Sequence, residues 1–138
     1  MKFTQENAAG LHRVRGYDEA QVTVEWGEVD GQGEPQLISR ELVSSFVVFP
    51  DGVLDGELPT SVSALEEEHF LPLLERQTEV LLLGTMAGGQ FPPPPLIAWL
   101  SQRGIGLEVM NTPAACRTYN LLMFEERRVA AMILFGDR

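Results

Sequence analysis

Apolar positions follow two different periods along this chain. From Ala20 to about Pro50 the period is near two. Val22, Val24 and Trp26 alternate with Thr23 and Glu25, which predicts a strand with one face buried. Asp30-Gly31-Gln32-Gly33 is a turn signal, because glycine supplies the positive φ that closes a hairpin loop. Gln36-Leu37-Ile38-Ser39 reads as a short strand, weakened at its start by Pro35. Ser45-Phe46-Val47-Val48-Phe49 is a stronger strand, ended by Pro50-Asp51-Gly52. The first third is therefore antiparallel β.

The next stretch changes character. Ser63-Ala64-Leu65-Glu66 fits the S-x-x-E capping box, and Glu66, Glu67 and Glu68 suit the positive end of a helix dipole. Pro72 lacks an amide hydrogen, so a helix here is short, kinked or restarted near Leu73.

From Glu79 onward the pattern is β-α-β-α-β. Val80-Leu81-Leu82-Leu83 is apolar without alternation, as in a strand covered on both faces. A loop from Gly84 to Pro95 follows, stiffened by Pro92-Pro93-Pro94-Pro95. Leu96, Trp99 and Leu100 mark a helical face, with Gly104 where a left-handed C-terminal residue is wanted. Ile105 to Met110 is the second strand. Thr112-Pro113 reads as an N-cap with proline at the first helical position, and Ala115, Tyr119, Leu122 and Met123 form one helical stripe. Arg128 to Leu134 is the third strand. Helical crossovers between apolar strands imply parallel strands with right-handed connections.

The length, 138 residues, suits one domain spanning 1–138, with residues 1–19 expected to be partly disordered. The net charge of −10 is unevenly spread: residues 18–79 carry fifteen acids against Arg40 and Arg76, a local −13, and residues 80–102 carry no charge at all. Such a segment repels phosphate backbones, which argues against nucleic acid as a partner. It reads as a solvated acidic face or as a surface for a basic protein partner. No integral membrane segment is expected, since the apolar runs fall far short of about 18 residues. The N-terminus has no signal-peptide pattern, so the cytoplasm is the expected compartment. Trp26, if exposed, or a free strand edge in the N-terminal half offers a route to a homodimer.

Ligands of open α/β sheets collect beyond the carboxyl ends of the strands. Two segments fall there, Gly84 to Gln90 and Asn111 to Pro113, and are expected to share one surface with Thr85 and Arg117 on the same side. The candidate ligand-binding residues are Gly84, Thr85, Thr112, Cys116, Arg117 and Asn120. Glycines admit close backbone approach, and free amides at a helix start favour an anion. Arg117 and Asn120, three apart on one helix, suit a carboxylate or phosphate, or equally a salt bridge and a loop-carbonyl cap. Cys116 is either a thiol activated by the helix dipole or a small buried apolar side chain. Gly84-Thr85-Met86-Ala87-Gly88 matches neither a dinucleotide fingerprint nor a P-loop, so no cofactor is indicated. Glu66 to Glu68 beside His69 reads as a solvated run rather than a metal site, and no catalytic motif occurs.

Gly84-Thr85, Gly104-Ile105-Gly106-Leu107-Glu108-Val109-Met110, Ala115 to Asn120 and Arg127-Arg128-Val129-Ala130-Ala131 together resemble a small α/β family of unknown function. That family includes an assembly factor of mitochondrial respiratory complex I. The resemblance is dense over residues 79–134. It implies a three-layer β/β/α domain: a mixed sheet, N-terminal antiparallel strands curling over one face, and helices on the other. The family brings no catalytic residues to carry over, and where it shows Gly-Thr-Gly this chain has Gly84-Thr85-Met86. The resulting reading is a non-catalytic protein-interaction or assembly-factor-like domain. The alternative is a small-ligand-binding or enzymatic domain with its site at the carboxyl ends of the parallel strands.

Overall fold

The computed structural model describes residues 10–136. Strands β1 (Arg13–Tyr17), β2 (Val22–Val29) and β3 (Pro35–Leu42) form an antiparallel sheet in that order. Asp30 closes the β2–β3 loop: its Oδ1 accepts from the Gln32 amide at 2.8 Å and the Glu34 amide at 2.9 Å, and Gly33 takes φ +81°. A second sheet holds β4 (Phe46–Phe49), β5 (Gly52–Asp55), β6 (Val80–Thr85), β7 (Gly106–Asn111) and β8 (Val129–Leu134), in the order β5-β4-β8-β6-β7. Strands β7, β6 and β8 run parallel, with Leu81 opposite both Leu107 and Ala130, and Gly84 opposite Ile133. β4 joins β8 antiparallel.

Three helices lie wholly within the described residues: α1 (Leu71–Glu75), α2 (Pro94–Gln102) and α3 (Thr112–Phe124). Pro94 and Pro95 sit in the first turn of α2, where missing amide hydrogens cost nothing. The β6–β7 crossover steps outward and the β7–β8 crossover steps back across β6. With right-handed connections, α2 and α3 must lie on opposite faces. They do: Leu96 and Leu100 of α2 pack with Leu73 of α1 against Leu81, Leu83 and Met132. On the other face, Ala115, Cys116, Tyr119 and Met123 of α3 pack with Leu82, Ala131 and Ile133.

The three-stranded sheet closes over that second face through Val14, Val22, Val24 and Leu42. The fold is thus the expected α/β type, a mixed sheet with N-terminal antiparallel strands and a βαβαβ unit. One detail of the resemblance is corrected. Only α1 and α2 lie opposite the antiparallel sheet, while α3 is enclosed between the two sheets.

Local corrections have physical causes. Ser63 caps no helix; it lies in a short 3-10 turn, Val62–Ala64, and the next turn begins at Glu67 after Glu66, whose amide donates to His69 Nδ1 at 2.8 Å. Asn111, not Thr112, is the N-cap of α3, because its Oδ1 accepts from the Ala114 amide at 2.9 Å. Glu25 stands on the polar side of the β2 alternation yet is 4% exposed, held by Arg13, whose Nε donates to it at 2.6 Å. Trp26 is half-buried rather than exposed: its ring stacks on His12 at 4.4 Å and its Nε1 donates to Glu28. Burial in turn holds the His12 imidazole below its ordinary pKa. Strand β1 falls within residues 1–19, and residues 1–9 lie outside the described residues.

All three helices end in the same hydrogen-bond pattern. Ile105 N–H reaches Leu100 O, Thr78 N–H reaches Leu73 O and Arg127 N–H reaches Leu122 O, each closing a left-handed C-terminal turn. The left-handed residue is Gly104 after α2 but Gln77 after α1 and Glu126 after α3, at φ +78°, +55° and +64°. A Cβ at Gly104 would meet nothing within 4 Å, so backbone conformation alone decides the effect of a substitution. Gly104→Ala is expected to destabilise the fold by about 1 kcal/mol and Glu126→Gly to stabilise it by a smaller amount. Opposite shifts in urea midpoint at unchanged slope are the expected outcome.

Candidate functional site

The carboxyl ends of β6 and β7 bring the loop after Gly84 onto the start of α3. A Cβ on Gly84 would stand 2.8 Å from Ile133 Cδ1 and 2.9 Å from Ala115 Cβ. The missing side chain therefore lets α3 seat against β6. Thr85 is buried, and its Oγ1 accepts from the Gly88 amide at 2.9 Å. Gly88, at φ +75°, rests on Asn111: its added Cβ would lie 3.1 Å from the Asn111 nitrogen. Thr112 is 2% exposed, and its Oγ1 finds no hydrogen-bond partner among the described residues.

The remaining candidates sit further along α3. Cys116 is buried in the core, and desolvation pushes its thiol up to about 12 against a small opposing pull from Arg117. That thiol keeps its proton at neutral pH. Arg117 is exposed and its Nη1 donates to Tyr17 Oη at 3.0 Å. Asn120 reads the edge of β1 as a neighbouring strand would: Oδ1 accepts from the Val14 amide at 2.9 Å and Nδ2 donates to Val14 O at 2.7 Å. Next to it, Tyr119 Oη donates to His12 O at 2.7 Å from a fully buried ring. Gly84, Thr85 and Thr112 thus gather at the loop, whereas Arg117 and Asn120 turn to β1.

A cleft of about 460 Å³ opens at the other end of the parallel strands, lined by Leu11, Phe49, Asp51, Arg76, Met123 and Arg127 among others. Its arginines are paired. The Arg76 guanidinium lies 4.2 Å over the Phe49 ring with Nε 3.2 Å from Asp51, and Arg127 Nε donates to Glu79 at 3.0 Å. The Arg127 hydrogen bond, aided by the Arg128 amide, holds the Glu79 carboxyl below its ordinary range. The sequence reading missed this cleft because its lining comes from separate segments without a motif. The one local signal was Arg127-Arg128 just after a helix end.

A family model described as "Protein of unknown function (DUF498/DUF598)" matches residues 14–134. A Danio rerio protein named NADH dehydrogenase [ubiquinone] 1 alpha subcomplex assembly factor 3 is 38% identical over 88 residues, 63% of this chain and 51% of that protein. The Drosophila melanogaster protein of the same name is 34% identical over 98 residues, 67% of this chain and 49% of its own length. The chain spans about half the length of these relatives. Among solved structures, the NMR structure of a Xanthomonas campestris protein superposes with a TM-score of 0.74 at 32% identity, covering 99% of this chain and 93% of that one. No helix among the described residues is long and apolar enough to cross a membrane.

Three outcomes check these assignments. Asn120→Ala leaves the Val14 amide and carbonyl unpaired, with an expected loss of about 2–3 kcal/mol in urea unfolding. The Cys116 thiol is expected to react with a thiol reagent only as fast as the protein unfolds. Its pKa is raised in the folded state, so unfolded chains ionise first as pH rises above 9.0. Stability should therefore fall from pH 9 upward, and Cys116→Ala should flatten that part of the profile.

Proposed function

The chain belongs to the family of proteins of unknown function DUF498/DUF598, and on that premise we propose that it is a non-catalytic protein-interaction domain of the assembly-factor type. The observation that carries this reading is that, Thr112 apart, the candidate polar side chains at the loop and along α3 are spent within the fold. Thr85 holds the Gly88 amide, Asn111 caps α3, and Asn120 holds β1. Each is bound to the protein's own backbone, and Cys116 is buried and protonated. A reactive or ligand-binding site needs such groups turned toward a substrate.

The relatives' names add the direction. Proteins called NADH dehydrogenase assembly factors share the matched half of their length with this chain. The assembly it serves is, on this reading, a respiratory NADH dehydrogenase. The local −13 over residues 18–79 makes a basic surface the complementary partner. Affinity capture of the tagged chain from its source cells, with deletion of its gene, tests the proposal. The expected result is one reproducible partner whose retention falls as salt rises, together with less assembled NADH dehydrogenase in the deletion strain. No reproducible partner and an unchanged amount of assembled enzyme would overturn it.

A further inference from the structure

Two sheets leave four strand edges, and the chain protects three of them. The β1 edge carries a bulge between Val14 and Gly16 and is clamped at Val14 by Asn120. The β3 edge begins at Pro35 and carries Arg40, paired with Asp55, and Glu41. The β5 edge is only four residues long and ends on that same Asp55. Proline, charge, bulges and shortness are the usual devices against edge-to-edge pairing. β7 has none of these across Gly106–Asn111 except Glu108, and among the described residues no strand lies beyond it.

The direction of its free groups follows from one hydrogen bond. The Gly106 amide donates to Glu79 O at 2.9 Å, on the β6 side. Backbone groups alternate along a strand, so Glu108 and Met110 also face β6. Leu107 and Val109 turn their amides and carbonyls outward.

Charge selects the occupant. From Val80 to Cys116 the chain carries only Arg103 and Glu108, while the whole chain carries −10. A basic partner would gain most on the acidic surfaces elsewhere. A second copy of this acidic chain meets least repulsion here. We infer that two copies pair their β7 strands antiparallel about a two-fold axis at Val109, joining two five-stranded sheets into one. In that register Val109 exchanges both hydrogen bonds with its counterpart and Glu108 faces Met110 of the other copy. A register centred on Glu108 would oppose two carboxylates directly. The loop bearing exposed Met86 and Phe91 touches the end of β7 at Asn111 and flanks the seam. The inference stands apart from the assembly reading, since self-association needs no respiratory partner.

Sedimentation equilibrium of the purified chain up to about 100 μM, a range that detects micromolar association, is expected to give twice the 15.3 kDa mass. Val109→Pro removes an outward amide and no β6 bond, so it should keep the native circular dichroism and weaken dimerisation at least tenfold. Val109→Cys should form a disulfide-linked dimer on mild oxidation, whereas Leu37→Cys on the exposed β3 edge should not. The inference is overturned if the wild type stays monomeric throughout. It also fails if a folded Val109→Pro protein dimerises as the wild type does, or if Val109→Cys cross-links no faster than Leu37→Cys. Should Val109→Pro not fold, the cysteine pair decides alone.

Discussion

Helix α3 is buried on two sides, and that enclosure sets the terms for the rest of the molecule. One flank seats Ala115 and Cys116 against β6 and β8, close enough that Gly84 has no room for a side chain. The other meets the three-stranded sheet, where Val14, Val22 and Val24 continue the same core. Burying a helix between two sheets removes water from every polar group it carries there, and such groups are costly unless they are bonded. Tyr119 and Asn120 answer this by donating and accepting hydrogen bonds from the backbone of His12 and Val14. The antiparallel sheet is attached to the parallel one largely through this helix.

The same enclosure gives the candidate residues Cys116 and Asn120 of α3 contacts within the fold. An Asn and a Cys four residues apart on a helix are compatible with a ligand site or with a packed interior, and local spacing does not separate the two. What separates them is the element laid across them. Strand β1 covers Asn120, so its amide acts as a surrogate strand, and Cys116 lies beneath, desolvated to the point where its thiolate is disfavoured. Among the described residues, Thr112 Oγ1 is buried without a hydrogen-bond partner. The surface that remains is acidic over much of the N-terminal half and nearly uncharged along β7.

Much of the fold is legible in the sequence. Val80-Leu81-Leu82-Leu83 and Val129 to Leu134 lack alternation because both their faces are covered, and this identified the central parallel strands. Gly104 and the Asp30 turn were read correctly because φ > 0 and an Asx hydrogen bond are local requirements. Strands β1 and β5 escaped notice. β1 is short, polar and interrupted by a bulge, and β5 has two exposed residues and no alternation to follow. The capping residues at Ser63 and Thr112 were misplaced because several neighbouring side chains had the right chemistry and only the backbone geometry chose among them.

The amino-acid sequence by itself determined the parallel winding, the elements that wind it and the uneven distribution of charge. Those properties rest on hydrophobic period, glycine conformation and composition, which act over a few residues or over the whole chain regardless of pairing. Tertiary structure alone decided that α3 would lie between two sheets rather than against one and that Asn120 would hold a strand. Each of these joins residues far apart in the chain, as Val14 and Asn120 are, and the free energy that selects such a contact exists only once both partners are desolvated together.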